Sequence, residues 1–214
     1  MELPLTDSLF HVRNSNLALP RAEFTDWYIS TAVYELFGEK DVLDIGCFTG
    51  ANTLYLASIA KTKNRMVYSV DNWTQAQEVG ISPERAKGLF YAHLDLLDTR
   101  EHCQLLEKHY MDITEEEIDR ADYIFHDVFT STTDEVLSLF NKIKSKTILI
   151  IDDWNEKGRD FNIDVLLKFP TMREFHRTKN RFYGAVKFSE EEYINIKNLI
   201  KMLFIDTMKR KIVD

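Results

Sequence analysis

The sequence predicts an α/β protein built on an open, doubly wound and mostly parallel sheet. Strand-like apolar runs alternate with helix-like segments along most of the chain. At least one run, KTILII, is apolar at nearly every position, as a strand covered by helices on both faces must be. Two further runs close around a turn near the C-terminus, which predicts an antiparallel hairpin at that edge. We therefore expect seven strands with helices on both faces.

The elements follow one another in a consistent order. Residues 1–37 are expected to form an N-terminal helical segment, with its best helix pattern from 23 to 37. Residues 82–108 read as a mostly helical insertion that covers the substrate, with a capped start at Ser82-Pro83-Glu84. The remaining predicted elements are, in order, strand DVLDIG, helix NTLYLASIAK, strand RMVYSVD, strand HYMDI, strand ADYIFHD, helix TTDEVLSLFNKIK, strand KTILIIDD, hairpin REFHRTKNRFYGAVKF and a final helix from Ser189.

Composition limits the classes of function. The 214 residues, 44% of them hydrophobic, suit a single domain over residues 1–214. The net charge of −8 and the lack of a basic run disfavour a nucleic-acid partner, because phosphate neutralisation dominates such binding. Cys47 and Cys103 are isolated thiols without metal-ligand spacing, which indicates a reducing compartment.

The termini and the hydropathy pattern complete this picture. The first residues lack a secretory pattern, and no stretch approaches eighteen apolar residues, so we expect a cytoplasmic protein without a membrane span. The final helix carries a broad apolar stripe that could pack on the sheet or form a dimer face. Monomer and homodimer both stay open, as does membership of a longer polypeptide.

Acidic residues follow the predicted strands. In a doubly wound sheet the ligand binds beyond the carboxyl ends of the strands, where the strand order reverses. An ionised carboxylate is too costly to bury unpaired, so these acids require hydroxyls, amides or a cation as partners. The acids concerned are Asp44, Asp71, Asp127, Asp152 and Asp153.

The loop after the first strand, IGCFTGAN, distinguishes between ligands. A dinucleotide loop needs glycines at the three positions that here read Gly46, Phe48 and Ala51. Phe48 therefore argues against a pyrophosphate, whereas Asp44 together with Asp71 argues for a nucleoside with an amino-acid tail. Asp71, about 20 residues further on, stands where an acid receives ribose hydroxyls. Asp44 would anchor the loop or, through water, meet an ammonium group of the ligand.

Asp44-x-Gly46-x-x-x-Gly50 followed by Asp71 resembles the class I S-adenosylmethionine-dependent methyltransferases. GCFTGANTLYLA is especially similar to the catechol and caffeoyl-coenzyme-A O-methyltransferases, and the resemblance covers roughly residues 25–188. It implies a Rossmann-like fold and S-adenosylmethionine as the methyl donor. It also implies these donor-binding roles: Gly46, Phe48 and Gly50 under the donor, Asn52 at its carboxylate, Asp71 at the ribose, Asn72 beside it, and Met111 and Asp112 at the adenine.

The stretch from ADYIFHD to IIDDWN resembles the metal-dependent members of this class, including the macrocin-type sugar enzymes. The resemblance places Asp127, Asp152 and Asp153 at the ligand positions of Mg²⁺ or Mn²⁺, and such an ion would orient and activate a diol. The chain has Thr130 where those families place a histidine or lysine base. Asp127 and Asp152 are then the candidate bases, with the metal alone or a group from residues 82–108 as alternatives.

The type and spacing of several other side chains predict their roles. Strand alternation turns His126 away from Asp127, so we expect it to be structural. A group of aromatic residues and one asparagine could form the wall of an acceptor site. The members of that group are Trp73, Phe90, Tyr91, Phe129, Trp154 and Asn155.

The hypothesis with most support is a metal-assisted O-methyltransferase that acts on a hydroxyl of a sugar or glycan, for example a deoxysugar such as rhamnose. One alternative is an enzyme that methylates a catechol or another phenol. Thr130 motivates a second alternative, a cofactor-binding domain without catalysis. A third, an NAD-dependent oxidoreductase, conflicts with the incomplete glycine pattern.

Overall fold

The computed structural model describes residues 5–9, 24–128, 130–155 and 161–211. Within these residues seven strands form one sheet. The strands are β1 (Asp41–Ile45), β2 (Val67–Asp71), β3 (Cys103–Glu107), β4 (Ala121–His126), β5 (Thr147–Ile151), β6 (Met172–Arg177) and β7 (Phe182–Val186). Their order across the sheet is β3-β2-β1-β4-β5-β7-β6.

The sheet is doubly wound, as predicted. From β3 to β5 all neighbouring strands are parallel. β7 runs antiparallel to both of its neighbours, β5 and β6, and forms with β6 the hairpin at that edge. The chain winds outward in one direction from β1 and in the other from β4, so the strand order reverses between these two central strands.

Helices cover both faces of the sheet. They are α1 (residues 5–9), α2 (Phe24–Phe37), α3 (Ala51–Thr62), α4 (Thr74–Glu78), α5 (Pro83–Asp95), α6 (Glu115–Asp119), α7 (Thr133–Asn141), α8 (Ile163–Leu166) and α9 (Glu190–Lys211). Successive strand residues point to opposite faces, so Val42 joins the core beneath α2, α3, α5 and α9. Leu43 joins the core beneath α6, α7 and α8.

The third strand is not where the sequence predicted it. HYMDI contains no strand, because Tyr110–Asp112 form a 3₁₀ turn in which the His109 side chain accepts from the N–H of Met111 (3.2 Å). β3 instead lies within residues 82–108, whose helical part ends at Asp95. As an edge strand paired with β2, β3 has exposed and half-buried residues and lacks the apolar run of a central strand.

The N-terminal segment is helical in its described parts, α1 and α2, while residues 10–23 lie outside the described residues. Glu35 of α2 accepts hydrogen bonds from the N–H and Oγ1 of Thr6 in α1 (2.8 and 2.6 Å). Tyr28 donates to Asp7 across the same contact (2.6 Å). The two helices are therefore linked by polar contacts. That residues 1–214 form one domain stays a prediction.

Every helix in the described part of the chain is too short or too polar to cross a lipid bilayer.

Phe90 holds α5 against the loop after β1, and its replacement should be costly. A Cβ at Gly50 would lie 2.8 Å from the ring of Phe90, which is fully buried. We expect Phe90→Ala to lower the free energy of unfolding by about 3–5 kcal/mol, because the ring leaves a cavity. Urea unfolding followed by circular dichroism measures this change.

The matched control is Leu96→Ala, because Leu96 is partly exposed at the end of the same helix. We expect that variant to stay within about 0.5 kcal/mol of the wild type. Similar losses in both variants would show that Phe90 has no special role in docking α5.

Candidate active site at the carboxyl ends of the strands

The loop between β1 and α3 requires its two glycines. Gly46 and Gly50 have φ values of +83° and +77°, in the left-handed region that favours glycine. At Gly46 there is a second requirement, because a Cβ would lie 2.0 Å from the backbone oxygen of Asp127. Phe48 also has a positive φ of 45°. The loop therefore turns sharply and passes close to the end of β4.

Side chains from the end of β2, from the residues just after it and from α5 tether this loop. The N–H of Phe48 donates to Asp71 (2.8 Å), and Nε1 of Trp73 donates to the carbonyl of Phe48 (3.3 Å). Nδ1 of His93 in α5 lies 2.6 Å from the carbonyl oxygen of Thr49, so it donates there. Asp71 is thus partly a structural residue. A carboxylate offers about four acceptor positions, which leaves capacity for ribose hydroxyls.

One cavity of about 160 Å³ lies on the β2 side of the loop. It is lined by Gly46, Val70, Asp71, Asn72, Thr74, Glu78, Lys108, His109, Tyr110, Val128 and Thr130. The predicted donor residues Gly46, Asp71 and Asn72 are therefore together. Met111 and Asp112 are outside this lining, because the 3₁₀ turn presents the residues just before them instead.

A second cavity of about 350 Å³ lies on the β5 side of the same loop. Gly46 borders both cavities. The second is lined by Trp27, Asp44, Gly46, Cys47, Phe48, Thr49, Ala51, Asn52, Phe125, Asp127, Asp152, Asp153, Asn180 and Arg181. The acids predicted at the ends of β1, β4 and β5 thus face one space. Trp27, Asn180 and Arg181 were not among the predicted site residues.

Asn52 presents a polar atom without a partner. Its Nδ2 is buried and has no hydrogen-bond partner within the described ranges. Leaving a buried amide donor unsatisfied costs roughly 1–3 kcal/mol. Asn52 is in the first turn of α3, a helix of 12 residues, whose N-terminus also favours an anion. The site therefore fits an anionic group such as a carboxylate.

Asp44 is almost completely buried, with 1% of its surface exposed. Oγ1 of Thr53 donates to it (2.5 Å). Burial raises the pKa of Asp44 to about 7, against the lowering effect of that hydrogen bond, and Asp71 adds to the rise. Asp44 is therefore both an anchor for α3 and a carboxylate at the edge of the second cavity.

Asp127 stands at the end of β4, and its N–H donates to the carbonyl of Ile45 at the end of β1 (2.8 Å). Removal from water raises the pKa of Asp127 well above its usual range. The carboxylates of Asp152 and Asp153 raise this pKa further, while Arg181 opposes the rise. A carboxyl group in this setting is a stronger base than an exposed one.

Arg181 is the main feature that the sequence did not predict. In the antiparallel pairing of β5 and β7, Phe182 lies opposite Ile151, which brings Arg181 beside Asp152. Nε of Arg181 donates to Oδ1 of Asp152 (3.0 Å), and Nη2 donates to Oδ2. The feature of the sequence that could have identified Arg181 is an arginine just before the last strand of the hairpin. Recognising it required the register of that hairpin.

The three predicted metal ligands do not fit a divalent ion. Across the described parts of the chain, no group of three His, Cys, Asp or Glu side chains is placed to hold a metal ion. The physical reason is the ion pair, in which both oxygens of Asp152 accept from Arg181. The metal role predicted for Asp127, Asp152 and Asp153 is therefore unsupported, and we assign no step to a metal.

The predicted aromatic wall is also absent from this cavity. Trp73 tethers the loop after β1, and Phe90 is buried in the hydrophobic core. Nε1 of Trp154 donates to the carbonyl of Thr178 (3.2 Å). Tyr91 packs under Arg100, with the guanidinium 4.5 Å from the ring centre. Trp27 of α2 supplies an aromatic side chain instead. Asn155 is outside the lining too, and Phe129 lies outside the described residues.

Of the remaining predictions, two concern single residues and one concerns a segment. His126 is fully buried with its ring 5.7 Å from that of Tyr110, edge to face, which confirms a structural position. Thr130 lines the first cavity and not the second. Within residues 82–108 only Lys108 borders either cavity. α5 therefore supports the loop and does not cover the second cavity.

Asp44 should make the stability of the protein depend on pH. Its carboxyl has a pKa of about 7 in the folded chain, against an ordinary value of 3.8, so the folded state binds the proton more tightly. The free energy of unfolding should consequently fall as the pH rises from about 4 to about 7, and this contribution should level off above that range. Asp44→Asn should remove it, as measured by urea unfolding at a series of pH values.

Asp95→Asn, at an exposed carboxylate of α5, is the matched control and should keep the slope of the wild type. An unchanged slope in Asp44→Asn would contradict the assignment to Asp44.

Comparison with known proteins agrees with this geometry. A family model described as a methyltransferase domain matches residues 43–154, just over half of the chain. That range includes the loop after β1 and the acids at the ends of β2, β4 and β5. A search of curated proteins finds no sequence that matches the chain.

Solved structures share the fold at low identity. A methyltransferase of Podospora anserina, bound to S-adenosylhomocysteine, superposes with a TM-score of 0.61 at 10% identity, over 87% of this chain and 89% of that one. A protein of Staphylococcus aureus, provisionally named a caffeoyl-CoA O-methyltransferase, gives 0.58 at 14% identity over 85% and 91%. An O-methyltransferase of Bacillus cereus in complex with S-adenosylhomocysteine gives 0.56 at 13% identity over 87% and 92%.

Identities in this range establish the fold alone, whereas the family model establishes the class of enzyme. The chain belongs to the methyltransferase-domain family and is a class I S-adenosylmethionine-dependent methyltransferase.

Proposed function

We propose that this enzyme transfers a methyl group from S-adenosylmethionine to a hydroxyl oxygen of a small-molecule or glycan acceptor, with a sugar as the favoured acceptor. The observation that carries the proposal is the second cavity, which is lined both by several carboxylates and by Asn52, whose buried Nδ2 is unsatisfied. The names of two structural neighbours, both O-methyltransferases, support transfer to oxygen. Membership of the methyltransferase family argues against an NAD-dependent oxidoreductase.

The donor would bind across the loop after β1. We place its nucleoside in the first cavity, where Asp71 can receive ribose hydroxyls and Asn72 flanks them. Its amino-acid tail would enter the second cavity, with the carboxylate at Nδ2 of Asn52 and the ammonium toward Asp44. Gly46 borders both cavities, so the sulfur would pass over the loop at that residue.

Methyl transfer requires a hydroxyl aligned with the donor and a group that takes its proton. When bound, S-adenosylmethionine supplies a sulfonium methyl group, which passes to the acceptor oxygen as the carbon–sulfur bond breaks. Asp127 lines the second cavity, and we assign it the acceptor proton. Asp152 accepts a hydrogen bond from Arg181 and so positions the positive charge of that side chain near Asp127. Because the pKa of Asp127 is raised, its ability to accept a proton should increase with pH.

The charge of the cavity favours a neutral acceptor. Asp127, Asp152 and Asp153 border the space with Arg181 as the basic side chain among its lining residues. Carboxylates accept hydrogen bonds from hydroxyls and repel phosphate groups. A polyhydroxylated acceptor such as a sugar therefore suits it better than a phosphate-bearing one. A catechol remains the second candidate, because Trp27 and Phe125 provide aromatic surface in the same lining.

Binding of S-adenosylhomocysteine tests the donor site directly. In isothermal titration calorimetry we expect one molecule per chain, and we expect Asn52→Leu to weaken binding by about 10- to 100-fold, because a hydrogen bond to a charged carboxylate is lost. Asn141→Leu, at an exposed end of α7, is the matched control and should bind as the wild type does. Saturable binding of NAD without binding of S-adenosylhomocysteine would refute the donor assignment.

An acceptor panel tests the rest of the proposal. Release of S-adenosylhomocysteine would be measured with a rhamnoside, a second free sugar, a sugar phosphate and catechol. We expect a neutral sugar to be the best substrate, and Asp127→Asn to lower its turnover by about 10²–10⁴-fold with donor affinity retained. Faster methylation of catechol than of every sugar would favour the phenol alternative. Donor binding with no methylation of any acceptor would favour a domain without catalysis.

A further inference from the structure

We propose that Arg181 stands in for a divalent ion in the second cavity, so that a guanidinium of the protein balances the carboxylates and the enzyme works without a bound metal. The inference rests on the proposed function, because it concerns the charge of the cavity in which the acceptor would bind. It reverses the expectation drawn from Asp127, Asp152 and Asp153 in the sequence. The observations that carry it are the contacts of one buried side chain.

The guanidinium of Arg181 makes hydrogen bonds along its edge and packs against an aromatic ring on its face. Nε and Nη2 donate to the two oxygens of Asp152, a forked pairing that matches a planar guanidinium to a carboxylate. Nη1 donates to Oγ of Ser30 in α2 (3.1 Å). The guanidinium carbon lies 5.0 Å from the ring centre of Phe125 in β4. Arg181 is 4% exposed, so these contacts are shielded from solvent.

The backbone of Arg181 is held as firmly as its side chain. Its N–H donates to Oγ1 of Thr178 (2.9 Å), and its carbonyl accepts from the N–H of Thr178 (2.8 Å). The carbonyl of Asn180 accepts from the N–H of Trp154, just after the acid pair (3.1 Å). The turn between β6 and β7 is therefore bound to the end of β5. Arg181 is part of the fold at this point and does not reach in from a distant loop.

These contacts conflict with the needs of a metal. Mg²⁺ and Mn²⁺ require several oxygen ligands in near-octahedral geometry. Both oxygens of Asp152 accept from Arg181, and Oδ1 accepts in addition from the N–H of Asp153 (3.0 Å). A cation bound among the three acids would also be repelled by a guanidinium that cannot lose its proton. The site therefore holds the fixed positive charge of the Arg181 guanidinium in place of an exchangeable metal ion.

The consequence concerns how the acceptor is held. A metal ion would bind two neighbouring oxygens of a diol and set their orientation. Arg181 is held in a fixed position by its pairing with Asp152 and supplies charge without such chelation. The orientation of the acceptor then depends on hydrogen bonds to side chains such as Asp127, Asp153 and Asn180. Arg181 is accordingly a positioning residue, which acts through Asp152.

Manganese binding tests the proposal without knowledge of the acceptor. The electron paramagnetic resonance signal of free Mn²⁺ would be recorded with increasing amounts of the wild-type enzyme, with and without S-adenosylhomocysteine. We expect the signal to keep the amplitude of the protein-free sample under both conditions. Uptake of one Mn²⁺ per chain by the wild type would overturn the inference. The titration without S-adenosylhomocysteine does not depend on donor binding, so failure of this inference is distinguishable from failure of the proposed function.

Variants of Arg181 add a gain of binding that a purely structural role would not produce. Arg181→Met removes the charge and releases Asp152, so its affinity for Mn²⁺ should rise by at least about 100-fold over the wild type. Arg181→Lys keeps a positive charge and should remain without uptake. The matched control is Arg177→Met, because Arg177 pairs with Glu174 and Asp164 and lines neither cavity. It should behave as the wild type does.

Circular dichroism would establish that each variant is folded. If Arg181→Met does not fold, the wild-type titration and Arg181→Lys still decide the matter. In the acceptor assays, equal rates in Mg²⁺ and in EDTA are expected for the wild type. A rate that depends on Mg²⁺ would contradict the inference.

Discussion

The approach of the loop after β1 to the backbone after β4 is the constraint on which the site depends. A Cβ at Gly46 would meet the backbone oxygen of Asp127 at 2.0 Å, so the two strand ends can lie this close only with glycine there. The N–H of Gly46 donates to Val70 in β2 (2.9 Å), which extends the contact across the centre of the sheet. The shared wall of the two cavities follows from this packing. A larger residue would separate the strand ends that form the wall.

The protein tolerates several acids in one space, the second cavity. The chain is acidic as a whole, with a net charge of −8, so the rest of the protein does little to offset the negative charge of these acids. Burial raises the pKa of Asp44 to about 7, and the carboxyl accepts a hydrogen bond from Thr53. Asp152 is paired with Arg181, and the pKa of Asp127 is raised by burial and by its neighbours. Protonation and ion pairing thus offset the negative charge of these acids, a role that the sequence alone suggested for a metal.

The sequence predicted the fold and the cavity acids because both follow from local patterns. Apolar runs that end in acids identify the parallel strands and their carboxyl ends, which places Asp71 and Asp127 at the crevice. β3 was missed because an edge strand needs no continuous apolar run. Arg181 was missed for a different reason. Its position opposite Asp152 depends on the register of β7 against β5, a contact between residues far apart in the chain.

The tethers of the loop after β1 determine how the donor would meet the site. Asp71 and Trp73 hold Phe48, and His93 holds Thr49, through hydrogen bonds made within the protein itself. The loop is thus preorganised, and the conformational entropy of ordering it is lost when the protein folds. Little of the affinity for the donor then has to offset a disorder-to-order transition. Recognition at this loop should be close to lock-and-key, with any induced fit confined to the acceptor side.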